Sequence, residues 1–362
     1  IAALTVDQIQ LLSTAQAAAL TTAQVVNLTT AQIAALEGAD LAALSTTAIA
    51  QMGTAQIAAI TVDQIGSLTT AQIRALEAAD LLAKDGIAER IAREGRLSPA
   101  DLVLTSDFSR LVELVEKDLT SPVKSEQLNS NIPAQYRDPD GQWYALTMRV
   151  RNLYTAKDRL GPQAISYEEL ADPKYKGKIC TRSGKHPYNI ALVASMIAHH
   201  GEADTKTWLQ GVKTNLARKP QGNDRGQVQA VKEGLCDIAI GNSYYYGNML
   251  QDPEQKSWAE AVVINFPNQA DRGAHVNVSG MVLTRYAPNK DNAIKLMEFL
   301  SGDVAQKAYA EVNMEYPVKA DVAPSTLVAS WGEFKSDKLP IFKLAEYHQA
   351  AVKLLDEVQF DL

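Results

Sequence analysis

The chain of 362 residues has little of what usually signals covalent chemistry: two cysteines, five histidines, and no GxSxG, HExxH, GxxxxGK[ST] or GxGxxG pattern. Two thiols without a CxxC spacing cannot build a structural zinc site by themselves. The missing hydrolase, zincin, P-loop and dinucleotide signatures leave an enzymatic reading without motif support, so a non-enzymatic chain is expected. No run of about 18 apolar residues exists, which excludes a transmembrane helix, and no basic segment precedes an apolar stretch at the amino terminus, so an export signal is expected to have been removed. Lysine and arginine are not clustered, which argues against nucleic acid as a partner. The apolar content of 46% is ample for a buried core, and the length allows two or three domains.

Absences also divide the chain. No Phe, Trp or Tyr, and no Pro, occurs before Pro99, and residues 1–83 carry six acids against the single base Arg74. That segment has a net charge of -5, whereas the remaining 279 residues carry only -2. What fills residues 5–84 is a period of eight, from TVDQIQLL and STAQAAAL to TTAQIRAL and EAADLLAK, ten copies in all. Six of the copies open with Ser or Thr and place Gln three residues on, the pattern in which a hydroxyl and an amide satisfy each other's free main-chain groups at a helix start. A single continuous helix fits poorly, because eight residues advance about 80° past two full turns and the Ile and Leu stripe would wander around the surface. A tight solenoid of short helical turns buries those positions better, and its composition reads as a spacer or packing module.

From Lys84 onward helical stretches such as GIAERIAREG and DNAIKLMEFLSG alternate with the apolar runs ADLVLTS, KGKICTR, CDIAIGN and HVNVSGMVLT, which predicts an α/β architecture in two lobes. The segments RDPDGQWYALTMRVRNLY and GAHVNVSGMVLTRY each run from a turn into an extended stretch and are candidates for the crossovers between lobes. Cys180 and Cys236 each fall in such an apolar run, and read either as two small buried residues or as a disulfide in an oxidising compartment. The His199-His200 pair suits the end of a helix closed by Gly201, and His186 lies in a loop that opens a helix, near a candidate anion site. Tyr244, Tyr245 and Tyr246 directly follow an apolar strand and Asn242-Ser243, where open α/β sheets bind ligands. Phenolate is a hard oxygen donor suited to a hard cation such as ferric iron, and half-buried aromatic packing is the competing reading.

These stretches, in this order and spacing, resemble the periplasmic ferric-iron-binding proteins of bacterial ABC importers, the bilobal class also called bacterial transferrins. The resemblance covers about residues 84–362 and rests on KDGIAERIAREGRLSPADLVLTSD, IPAQYRDPDGQWYALTMRVR, SYEELADPKYKGKICTRSGKHPYNIALVASMI, VQAVKEGLCDIAIGNSYYYGNM and HVNVSGMVLTRYAPNKDNAIKLMEFLSG. It implies a type II periplasmic-binding-protein fold and iron bound by the adjacent pair Tyr244 and Tyr245 with Tyr188 of RSGKHPYN as a third phenolate. It further implies Asn242, Ser183, Arg149 or Arg151 at positions that hold carbonate or another anion, or that orient the phenolates, with Tyr246 left to packing. An ABC permease is the implied partner, the periplasm the implied location, and a monomer the implied state.

The chain departs from that family at its start. There a strand, helix and second strand precede AKDGIAER, and the first strand supplies a His or Tyr ligand; here the octets run straight into LLAKDGIAER, and residues 1–83 contain neither residue type. Either the repeat is spliced in where that unit belongs, or the lobe is shortened and the repeat appended. The expected organisation is the repeat at 1–83, a first lobe from 84–147 with part of 275–310, and a second from 148–274 with 311–362. On the residues alone, a binding protein of the same fold for another small ligand, and an interaction protein acting through the repeat, stay open beside iron capture.

Overall fold

The protein is described from a computed structural model that covers residues 3–53, 56, 57, 59–61, 64, 67–69, 71, 72 and 87–362. The tenth octet and the junction at Lys84 lie outside the described residues.

Among the described residues, six short helices open the chain: α1 (Val6–Gln10), α2 (Thr14–Ala18), α3 (Thr22–Val25), α4 (Thr30–Ala35), α5 (Gly38–Ala43) and α6 (Thr46–Ala50). The expected capping boxes form at α1 to α4, where each Ser or Thr side chain accepts from the N3 amide and the Gln side chain accepts from the N-cap amide. From the fourth octet on, glutamines at this position also do a second job. Gln56 Nε2 donates to the carbonyls of Val25 and Leu28 at 2.9 and 2.8 Å, Gln64 to Ile33 and Leu36 at 2.9 and 2.5 Å, and Gln72 to Leu41 and Leu44 at 2.8 Å each. Gln32 likewise reaches Leu4 O at 2.7 Å. The acceptors lie 28 and 31 residues back, while α1 lies against α4, α2 against α5 and α3 against α6. One coil of the solenoid therefore takes between three and four octets. Ile9, Ile33, Leu41 and Ile49 are buried in a core of the repeat's own.

The rest of the chain contains the strands β1 (Leu102–Thr105), β2 (Tyr144–Ala156), β3 (Ile179–Cys180), β4 (Ile238–Asn242), β5 (Val262–Asn265), β6 (Val276–Leu283) and β7 (Tyr316–Pro317). The apolar runs singled out in the sequence become β1, β3, β4 and β6. Strand β2 belongs to two sheets: up to Val150 it pairs with β6 and β7, and from Arg151 with β4 and β5. Its near-complete burial over 13 residues is the mark of a strand covered in both lobes. The exchange of partners falls between Val150 and Arg151, three residues beyond the expected boundary at 147, and β7 lies with the first sheet although 311–362 was assigned to the second lobe. Strand β1 pairs with β6 alone among the described strands, so it ends the first sheet where the family resemblance places further strands.

The helices used below are α7 (Ile87–Glu94), α8 (Phe108–Glu116), α9 (Pro187–Thr214), α10 (Asp224–Lys232), α11 (Tyr244–Gln251), α12 (Asp303–Asn313) and α13 (His348–Glu357). Leu111 and Leu114 of α8 and Ala88 and Ile91 of α7 join the core that covers the first sheet, and α13 packs along α9 in the second lobe. Helix α9 breaks at Gly201, φ 77°, directly after His199 and His200, a conformation that glycine adopts without strain. Cys180 in β3 and Cys236 before β4 are joined in a disulfide with Cα atoms 5.9 Å apart, inside the second lobe's core.

Two measurements check this architecture. Gln64→Ala should cost the octets about 2 kcal/mol, read from amide hydrogen exchange, and Gln64→Glu should cost at least as much although it keeps a cap acceptor, because it turns a buried carboxylate on the Leu36 carbonyl. The Cys180–Cys236 bridge closes a loop of 56 residues, so its double Ala variant should lose about 4 kcal/mol in urea unfolding.

Candidate metal centre

Two helix starts meet where the sheets exchange strands. Strand β4 ends at Asn242, and Ser243 turns the chain into α11, its amide donating to Val150 O at 2.9 Å and its Oγ accepting from Val150 N at 3.1 Å. This ties Tyr244 and Tyr245 to the residue at which β2 changes partners. Gly241 matters here, since a Cβ at that position would stand 2.7 Å from the Tyr154 ring. On the facing side His186 caps α9, its Nδ1 accepting from Tyr188 N at 3.3 Å, and Pro187 starts the helix without an amide to satisfy. Tyr188 is thereby fixed in the first turn, its ring edge-on to the His186 imidazole at 4.5 Å between centroids.

The result is convergence of phenols. Tyr188 Oη and Tyr244 Oη stand 3.2 Å apart, and the Tyr244 and Tyr245 rings are 4.2 Å between centroids. Two oxygens held in cis at about 2.1 Å from a small hard ion are separated by about 3 Å, so the Tyr188–Tyr244 edge has the span that such an ion requires. Tyr246 turns the other way, onto Tyr154 and Trp331 at 6.1 and 5.6 Å between ring centroids.

Beneath the phenols lies a buried charge network. Arg151 donates to Asp224 Oδ2 at 2.6 Å, to Asn242 Oδ1 at 3.0 Å and to Asn189 Oδ1 at 2.7 Å, and Asp224 Oδ2 also accepts from Asn242 N at 2.9 Å. Arg182 approaches the other oxygen of Asp224 at 3.3 Å. Arg149 is 1% exposed, with Glu315 at 3.5 Å and Asp107 at 3.8 Å. The guanidiniums of Arg149, Arg151 and Arg182 all lie within 5.3 to 5.9 Å of the Tyr188 ring centre, and Arg225 lies 5.3 Å from that of Tyr245. Arg149 Nε, Arg151 Nε, Arg182 Nε and Asn242 Nδ2 are buried donors without hydrogen-bond partners. Unmatched buried donors beside convergent phenols are the chemistry expected around an anionic group.

Burial pushes the Tyr188 phenol up to about 12, against the opposing pull of Arg149, and burial also holds Tyr244 well above its ordinary value, with the neighbouring Tyr188 and Tyr245 adding to the effect. Both are neutral phenols at pH 7 until something displaces their protons. Burial and the Arg182 charge hold the His186 imidazole down at about 4.

Of the residues singled out in the sequence, the fold brings together Tyr188, Tyr244, Tyr245, Asn242, Arg149 and Arg151. It does not bring Ser183 into the set: its hydroxyl donates to Asp361 Oδ2 at 2.6 Å, fastening the loop to the carboxyl terminus. His199 and His200 stand apart, bonded to Asp337 at 2.6 Å and Glu168 at 2.7 Å. Sequence reading missed Asp224, Arg182, Asn189 and Glu315. Only Asp224 had a local signal, as the first residue of a helix after the capping Asn223 in QGNDRGQ.

Residues 98–332 match the model of the family described as bacterial extracellular solute-binding protein. The chain belongs to that family. Within it, this solute-binding protein is 46% identical over 276 residues to iron uptake protein A1 of Synechocystis sp., covering 75% of this chain and 77% of the relative. Its fold superposes on ferric iron-binding protein A of Mannheimia haemolytica in an open conformation with a TM-score of 0.75 at 54% identity, covering 77% and 89% of the two chains. A Trichodesmium protein solved in complex with iron and citrate gives 0.75 at 38% identity over 79% and 95%. Residues 33–70 match the ALTTAQ repeat, so the family assignment of the solute-binding part leaves the octets a separate module.

The network predicts its own fragility. Asp224→Ala would strand the Arg151 charge in a dry site and should destabilise the protein by about 3 to 5 kcal/mol in chemical denaturation, whereas Asp361→Asn, at the edge of the lobe, should cost about 1 kcal/mol.

Proposed function

We propose that this chain captures ferric iron between its lobes through Tyr188, Tyr244 and Tyr245 and delivers it to the permease of an ABC importer in the periplasm, without catalysis. The observation that carries this reading is the 3.2 Å approach of two phenol oxygens from different helices, with a third tyrosine ring 4.2 Å from that of Tyr244 and unmatched cationic donors beneath. The similarity to proteins named for iron uptake and ferric iron binding, one of them solved with iron and citrate, supports it. Three phenolates cancel the charge of a trivalent ion, which allows burial without a large uncompensated charge. Arg149, Arg151 and Asn242 would hold carbonate or a carried chelate such as citrate, which fills the coordination positions that a first-lobe ligand would otherwise take. The lobes divide where β2 changes partners, and a single bilobal unit contains the whole tyrosine set.

The test is a ferric-citrate titration of chelator-stripped protein, followed by visible absorption and metal analysis. A phenolate-to-iron charge-transfer band should saturate at one iron per chain, and Tyr188→Phe and Tyr244→Phe should each weaken retention by about 100-fold or more. No band and no retained metal would sink the proposal. Because Tyr188 and Tyr244 are protonated before binding, uptake releases protons and retention must fall as pH falls. Two displaced protons correspond to about a hundredfold per pH unit, read from competition with a chelator of known pH dependence.

A further inference from the structure

The glutamine ladder of the repeat is broken at two consecutive octets. Position four of an octet, which is Gln32, Gln56, Gln64 or Gln72 where the ladder forms, is Asp40 in the fifth octet and Ala48 in the sixth. Carried over to these octets, the offsets of 28 and 31 residues seen at Gln56 and Gln64 pair Asp40 with the carbonyls of Leu12 and Ile9, and Ala48 with those of Leu20 and Ala17. Neither residue has the amide that the ladder uses. Asp40 is nonetheless 2% exposed, on a helix that lies against α2, and its Oδ2 is buried with no hydrogen-bond partner. The sequence offers no countercharge nearby either, because Arg74 is the one basic residue before Lys84.

A buried carboxylate facing carbonyl oxygens is unfavourable unless something positive stands between them. Side-chain length decides what fits. Gln56 and Gln64 reach their carbonyls at 2.5 to 2.9 Å. Asp is shorter by one carbon–carbon bond of about 1.5 Å, which leaves its oxygens about 4 Å from the same carbonyls. That gap is too wide for a hydroxyl hydrogen bond, which needs about 2.7 Å, and it suits an ion about 2.4 Å from each oxygen. We propose that Asp40 and the main-chain oxygens of Ile9 and Leu12 bind a hard cation, sodium or calcium, that takes the place of the missing ladder donor and ties the fifth octet to the first coil. The set contains only oxygens, with one negative charge, which selects alkali and alkaline-earth ions over softer metals. The site is independent of the tyrosines.

The test uses the full chain, chelator-stripped, at constant ionic strength set with a tetraalkylammonium salt. Helix melting at 222 nm is followed with and without millimolar calcium, and separately with sodium, and calcium retention is measured by equilibrium dialysis with metal analysis. Wild type should melt a few degrees higher with one of the two ions and, if that ion is calcium, retain one more per chain than Asp40→Asn. Asp40→Gln, which restores the ladder donor, should melt above cation-free wild type and ignore both ions. Melting of wild type that is indifferent to both ions overturns the proposal, as does a cation response that persists in Asp40→Gln.

Discussion

The buried pair of Arg151 and Asp224 is the interaction on which the candidate site depends. Arg151 is the first residue of β2 that pairs in the second sheet, and its guanidinium reaches the end of β4 through Asn242 and the first turn of α9 through Asn189. Asp224 completes the set by accepting from the Asn242 amide. The two helix starts that carry Tyr244 and Tyr188 are therefore registered against one charge. A charged hub of this kind is costly to bury and profitable only when every partner is present, which ties the position of the phenols to the integrity of the network.

The two parts of the chain solve the problem of buried polar groups in different ways. In the octets one residue type serves both tasks: the glutamine oxygen caps its own helix while the nitrogen satisfies carbonyls of the preceding coil. Stability there is repetitive and local, and a change at one position affects its own coil and the next. In the bilobal part, a 13-residue strand is shared between two sheets, and side chains from positions as distant as Asp107 and Glu315 meet on Arg149. Stability and site geometry there are non-local.

Much of this was legible. The octet period and the Ser/Thr to Gln spacing anticipated capped helical turns in a solenoid, and the structure adds the contact between coils. The α/β alternation and the strand segments followed from apolar runs bounded by turn residues. The tyrosine cluster was visible because three aromatics after a strand end are conspicuous. Ser183 was misplaced because a hydroxyl three residues beyond a strand can serve any neighbour, and here the neighbour is Asp361, 178 residues away. Glu315 was invisible, since nothing adjacent to it in EVNMEYP marks a carboxylate that will lie against an arginine of β2.

By itself, the sequence determined what each segment is locally: capped octets, apolar strands, amphipathic helices, and a phenol-rich turn after β4. Those are properties of nearest neighbours, fixed by spacing and side-chain chemistry. The tertiary structure decided which segments meet. It set the strand register that exchanges β2 between sheets, turned Tyr246 away from Tyr244 and Tyr245, closed the bridge between Cys180 and Cys236, and buried an oxygen of Asp40 without a partner. Each of these depends on a distance between residues far apart in the chain, and only folding creates such distances.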